Sequence, residues 1–176
     1  MGEPYTLSIL VADGTPEGVC IIQRRNWPGV VVKFPREQMA RLPVLAPELK
    51  DRTGVYILIG PDDEGSGLQK VYVGEGDVLT RLQQHDAKRD WWEWAIAFVS
   101  ASDRLTASET LWLEQSLIAK AVAARTAVLD NDVRNQSRAI LPRADAAEMA
   151  AFLRQMLSIV PLMAGGRLFE TGAGGS

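Results

Sequence analysis

The residue hardest to explain by packing alone is Glu114. On a helix running from about Ser108, its neighbours one turn away are Leu111, Leu117 and Ile118. The carboxylate therefore interrupts an apolar stripe instead of sitting on the solvated face. Removing a carboxylate from water is costly unless a cation or hydrogen-bond donors receive it. Two readings follow: a structural ion pair at a half-wet rim, or a metal ligand at the edge of a cleft. Glu109 needs no such account, because Thr106-Ala107-Ser108-Glu109 matches a capping box.

Arg81 and His85 stand four residues apart, on one face of a predicted helix over residues 78–87. A fixed guanidinium beside an imidazole suits a phosphate under attack. The first neutralises developing charge, and the second hydrogen-bonds or carries a proton. An ordinary surface pair would look the same. Tyr56 and Tyr72 belong to apolar runs read as adjacent strands, where tyrosines usually anchor a core by their rings. Gly74 and Gly76 flank the predicted turn into the helix and permit close backbone approach. Trp91, Trp92 and Trp94 follow Lys88-Arg89; such a pattern stacks bases or, more commonly, fills space between helix and sheet.

The elements that must position these groups are legible in outline. Residues 5–11, 19–23 and 30–34 read as strands separated by the turn signals Gly14-Thr15-Pro16-Glu17-Gly18 and Trp27-Pro28-Gly29. Pro35 opens a short helix over residues 36–41, and the proline-spaced residues 42–50 read as a linker. The continuous apolar run 55–59 predicts a strand covered on both faces, paired in a hairpin with residues 70–73. Asp77 is the expected N-cap of the helix over 78–87. A strand follows over 95–99, then a helix to about Ala124 and an irregular polar stretch over 130–136. A last helix over 144–160 is expected to stop before Pro161 and the pair Gly165-Gly166.

Composition bounds the rest. The chain has 176 residues, 47% of them hydrophobic and 23% charged, and a net charge of -3. Its length suffices for a core without metal or disulfide staples. A single cysteine, Cys20, and a single histidine exclude an intramolecular disulfide and a structural zinc site of this chain's own residues. One thiol and no recognisable signal sequence lead to the expectation of a cytoplasmic protein, and no apolar run near the length of a bilayer span leads to that of no membrane partner. The acidic balance argues against a strong non-specific nucleic-acid binder, although residues 24–52 hold seven basic residues against three acidic ones.

Taken together, the motifs resemble those of the GIY-YIG nuclease family. Gly54-Val55-Tyr56 is similar to its first signature tripeptide and Tyr72-Val73-Gly74 to its second. Arg81, His85, Glu114 and Asn131 fall where that family places its helix arginine, the residue one turn later, its metal-binding glutamate and a polar residue near the module's end. The resemblance covers about residues 53–135. The segment before it, with Asn26-Trp27 and Pro35-Arg36, is similar to the leader of a bacterial subgroup in which a helix also follows the module.

The resemblance implies an endonuclease cutting a DNA phosphodiester by in-line attack of water, with one Mg²⁺ or Mn²⁺ on Glu114. Arg81 would hold the phosphate. Tyr56, Tyr72 or His85 would orient or deprotonate the water, the choice among the three staying open. Gly74, Lys88, Arg89 and Asn131 are the expected substrate contacts. Two other readings stand beside it: a non-catalytic nucleic-acid-binding module, and a protein-interaction domain in which Glu114 is ion-paired.

The fold expectation is α/β of the α+β kind, a small, mainly antiparallel sheet flanked by helices. The expected divisions are a β-rich extension (1–50), with a separate small sheet as one arrangement open to it, the nuclease-like module (51–136), a packing helix (137–168) and a disordered tail (169–176). The expected oligomeric state is a monomer or a weak dimer.

Overall fold

A strand whose consecutive residues are all apolar must be covered on both faces, and β4 (Thr53–Pro61) is such a strand. Val55, Ile57 and Ile59 enter one hydrophobic core, while Tyr56 and Leu58 enter another on the opposite face. The computed structural model describes residues 2–134, 138–164 and 168–170. In it β4 lies inside a seven-stranded mixed sheet of order β1-β2-β3-β6-β4-β5-β7. The other strands are β1 (Leu7–Val11), β2 (Cys20–Arg24), β3 (Gly29–Pro35), β5 (Gln69–Asp77), β6 (Trp94–Ser100) and β7 (Ala127–Leu129). All neighbours are antiparallel except β5 and β7, which are parallel. Four helices complete an α+β fold: α1 (Leu42–Leu45), α2 (Val78–Asp86), α3 (Ala107–Ala124) and α4 (Arg143–Ala164).

One core lies between the sheet and α3 with α4, and includes Leu113, Leu117, Phe152 and Met156. The other lies under α1 and α2, with Leu42, Leu82 and Trp92. The capping box of α3 is present in full: Thr106 accepts from the Glu109 N–H at 3.1 Å, and the Glu109 carboxylate accepts from the Thr106 N–H at 2.9 Å. Asp77 caps α2 through the Thr80 N–H at 3.0 Å.

Five expectations are corrected. The N-terminal strands do not form a separate small sheet. β3 pairs with β6 along its whole length, from Gly29↔Ser100 to Pro35↔Trp94, because the all-buried β6 needs a partner on that side as well as β4. Residues 42–50 are not a linker: Leu42, Ala46 and Leu49 are fully buried, on α1 and a following 3-10 turn (Pro47–Leu49). The strand expected to end at Val73 runs on to Asp77, so Gly74 and Gly76 lie within it, opposite Tyr56 and Gly54. Short β7 was not foreseen at all. Finally, α4 continues through Pro161 to Ala164, a proline in the last turn that is held by the buried Ile159, Val160 and Ala164 around it.

By length and composition alone α4 is long and apolar enough to cross a membrane. Seven of its residues are nevertheless buried, all of them in the core against the sheet and α3. Phe169, at the start of the expected tail, is also buried in that core. The glycine pair at 165–166 and the remainder of the tail, 171–176, lie outside the described residues.

Candidate functional site

β5 sends alternate side chains to opposite faces. Val71, Val73 and Glu75 face α3, while Tyr72 and Gly74 face α2. β7 covers the outer edge of β5 only along Gln69–Val71. Beyond Val73 no strand among the described residues pairs with that edge, and groups from both faces meet around it.

On the α2 side three rings form a cluster. The centroids of Tyr56 and Tyr72 are 6.4 Å apart, those of Tyr56 and His85 5.7 Å, and those of Tyr72 and His85 4.9 Å. A Cβ on Gly74 would fall onto the Cζ and Oη of Tyr56. The close approach this glycine permits is therefore made by the tyrosine ring. Gly76 has φ 126°, a left-handed backbone that glycine adopts without strain, and a Cβ there would sit 2.9 Å from Arg81 Nε. Arg81 thus lies across the end of the strand, exposed and without a hydrogen-bond or ion-pair partner among the described residues.

On the α3 side, Glu114 is half-buried. It too makes no hydrogen bond or ion pair among the described residues. Burial is the largest influence on its carboxyl; the nearby Glu75 charge adds to it and Arg81 opposes it, leaving the pKa raised to about 7. Glu75 was missed by the sequence reading, which ended the strand too early. The apolar alternation through Val71 and Val73 was the signal that placed it on the face toward α3. Its carboxylate accepts a 2.7 Å hydrogen bond from the buried Thr110 hydroxyl.

Burial raises the hydroxyl pKa of Tyr56 and of Tyr72 above the ordinary phenol value, so both are neutral near pH 7. His85 is pushed down to about 4, by burial first and then by Arg89, Lys88 and Arg81. Of the three groups left open as proton acceptors, none carries charge near neutrality.

The expected substrate contacts fare differently. Lys88 is exposed just beyond α2. Arg89 is spent within the protein: its Nε donates to Asp130 at 3.0 Å, and its guanidinium carbon lies 3.8 Å from the centre of the Tyr72 ring. Asn131 is spent as well. Its Oδ1 accepts from the Val73 N–H at 2.9 Å and its Nδ2 donates to the Val73 carbonyl at 2.7 Å, so the amide extends the β7 ladder by one rung. Replacing Asn131 with alanine is expected to cost about 1–3 kcal/mol by orphaning those two backbone groups. Hydrogen exchange should then show the Val73 amide unprotected while Ile57 stays slow; equal protection in both proteins would refute that role.

A groove of about 950 Å³, lined by Phe34, Trp92, Glu17 and Glu93 among others, opens elsewhere. Size alone does not make it the site, since its cations are already engaged: Arg36 pairs with Asp86 at 2.7 Å and Lys33 donates to the Met163 carbonyl at 3.0 Å.

Fold and cluster together define a mixed-sheet α+β protein with a tyrosine, arginine and carboxylate site at a strand edge. Residues 148–176 match the family model described as monomeric isocitrate dehydrogenase. No curated protein and no solved structure matches the chain. This comparison corrects the resemblance to the GIY-YIG nucleases, and with it the assignment to that class of phosphodiester hydrolases: the family match lies on α4 and beyond, and nothing in the comparisons indicates GIY-YIG. The match spans only the C-terminal end of the chain and includes none of the clustered residues, so it places no dehydrogenase site here either.

Proposed function

We propose that the cluster binds a backbone phosphate of DNA and, with one divalent cation, catalyses cleavage of its ester bond by water. The observation that carries this reading is the convergence of Glu114 with Glu75 opposite Arg81, which has no partner among the described residues, beside two neutral tyrosine hydroxyls. It rests on these residues and on no family assignment.

The donor set fits a hard cation. Glu114, lifted above the usual carboxylate range by burial first and then by Glu75, is costly to ionise, and a divalent ion beside it would relieve that cost. Among the described residues no group of three or more His, Cys, Asp or Glu surrounds a common point. Mg²⁺ and Mn²⁺ suit such a sparse site, since Mg²⁺ keeps several waters and takes one or two carboxylates plus substrate phosphate. When bound, the ion would supply Lewis-acid polarisation of the phosphate and a charge facing the leaving oxygen. Glu114 would hold it, with Glu75 alongside, oriented by Thr110.

The chain's own groups do the rest. Arg81, without a partner among the described residues, reaches the non-bridging oxygens and balances the charge that grows as the ester breaks. The Tyr56 and Tyr72 hydroxyls stay protonated, so they orient the attacking water by hydrogen bonds instead of removing its proton.

The test is Mg²⁺- or Mn²⁺-dependent nicking of duplex, nicked, flapped and branched DNA by the purified protein. Glu114→Gln should reduce it by roughly three orders of magnitude, the upper scale for removing one electrostatic stabiliser. A wild-type protein inactive on every substrate with both ions would end the cleavage reading. Binding to DNA that is unaffected by Glu114→Gln would favour a non-catalytic binding module.

A further inference from the structure

His85 is the chain's single histidine, and its environment fixes which of its nitrogens bears the proton. Arg89 Nη1 lies 2.9 Å from His85 Nδ1. A guanidinium donates and never accepts, so Nδ1 must be the acceptor, and the proton of the neutral ring is on Nε2. Nε2, on the far edge of the ring from that bond, has no hydrogen-bond partner among the described residues.

Arg89 is in turn held from three sides. Asp130 accepts from its Nε at 3.0 Å, the Tyr72 ring stacks under it at 3.8 Å, and its backbone N–H donates to the His85 carbonyl at 2.9 Å. Asp130 is itself anchored: its backbone N–H donates to the Val71 carbonyl at 2.8 Å, and its carboxylate also accepts from Trp91 Nε1 at 3.3 Å. Lys70 stands 4.0 Å away. The chain of contacts therefore runs from the β5–β7 pairing through Asp130 and Arg89 to the imidazole.

We propose that Arg89 is a positioning residue that locks His85 as the neutral Nε2–H tautomer, so that His85 offers the cluster a hydrogen-bond donor for an oxyanion and not a base. The oxyanion half rests on the reading of the cluster as a phosphate site; the tautomer half does not. The charged and titratable groups around the imidazole agree with it. Arg81 and Lys88 add positive charge from α2 and its end, Tyr56 and Tyr72 contribute neutral rings, and the Asp130 charge is turned toward Arg89. The nearby Asp86 carboxylate is paired with Arg36.

With only one imidazole, ¹⁵N NMR of the full chain reads the answer directly. The wild type should show an Nε2–H neutral ring whose titration lies near the value of about 4 that burial and Arg89 set. Arg89→Lys keeps a charge but loses the fork that spans His85 and Asp130. It should move the titration up by about one pH unit or more, toward the ordinary value near 6.5, and mix the tautomers. Asp130→Asn, which loosens Arg89 without removing it, should shift the same signals in the same direction by less.

An Nδ1–H ring in the wild type, a titration near 6.5 there, or signals unmoved by both variants would each overturn the lock. Inorganic phosphate should shift the Nε2–H resonance of the wild type, and no shift at millimolar phosphate would overturn the donor role. If the tautomer is as stated but DNA is not cleaved, the cleavage reading fails and the lock stands.

Discussion

Glu114→Gln is expected to make the protein more stable above pH 7 while removing its response to Mg²⁺. The Glu114 carboxyl titrates near 7 in the folded protein, raised mainly by burial and then by Glu75. In the unfolded chain it titrates in the ordinary carboxylate range near 4.3. The folded state therefore binds more protons between those two values, so stability falls as pH rises through that window and the full cost is present above 7. The shift corresponds to about 3–4 kcal/mol, and solvent screening of this partly exposed carboxyl reduces the cost to the order of 2–3 kcal/mol. Glutamine has nearly the same shape and no charge, so it avoids the cost and converts a carboxylate pair into a carboxylate beside an amide.

Thermal melts at pH 5 and pH 8 should accordingly diverge. The two proteins should be similar at pH 5, and the variant should be ahead at pH 8. A cation bound to the folded wild type recovers part of the deficit, by about 2.7 kcal/mol at a hundredfold excess over Kd, and should leave the variant unmoved. Parallel melts across this pH range would show that Glu114 is not held as an uncompensated carboxyl. An equal Mg²⁺ effect on both would remove it as a ligand.

The second large effect is expected at Gly74. Gly74→Ala places a methyl group on the Cζ and Oη of Tyr56, a ring that is 1% exposed and enclosed by the core under α2. Close-packed surroundings give the ring nowhere to go without moving Tyr72 or His85. Overpacking of this kind costs about 1–3 kcal/mol, and the rigid neighbours put this case at the top of that range. Because the hydroxyl is among the atoms struck, Tyr56→Phe in the same chain should recover part of the loss. The double-mutant cycle should therefore be clearly non-additive. Additive losses, or Gly74→Ala within about 0.5 kcal/mol of wild type, would mean the ring does not lie over the strand as described.

Both variants act on one arrangement, which explains why an acid, an arginine and two tyrosines can share a small edge. Neutral hydroxyls cost far less to bury than a charge, and Arg81 remains in contact with solvent. Glu114 is the component held against its preference, and local cost of this kind is characteristic of functional sites.

How much of this could be read from residues alone varies by element. Run 55–59 announced a doubly covered strand because every position is apolar. The capping box at Thr106 announced α3 because its hydrogen bonds are local. Glu114 stood out for the same kind of reason, since its neighbours are fixed by helical spacing and need no knowledge of the rest of the chain. Glu75, by contrast, hid behind the glycines on either side of it. Gly74 and Gly76 are ordinary turn signals, and only the facing residues of β4 reveal that the strand continues between them. Arg89 and Asn131 looked like groups free to meet a ligand; both are consumed by partners about forty or more positions away in the chain.

The sequence by itself determined where α2 and α3 begin, that run 55–59 is buried on both faces, and that one acid, one arginine, one imidazole and two phenols stood out. These follow from local hydrogen bonds and from periodicity, which depend on near neighbours only. Tertiary structure alone decided that the N-terminal strands join the main sheet, that Glu75 stands beside Glu114, and that the His85 imidazole carries its neutral proton on Nε2. Those outcomes depend on which strand edge remains open and which donor faces which acceptor across the fold, and spacing along the chain does not encode either.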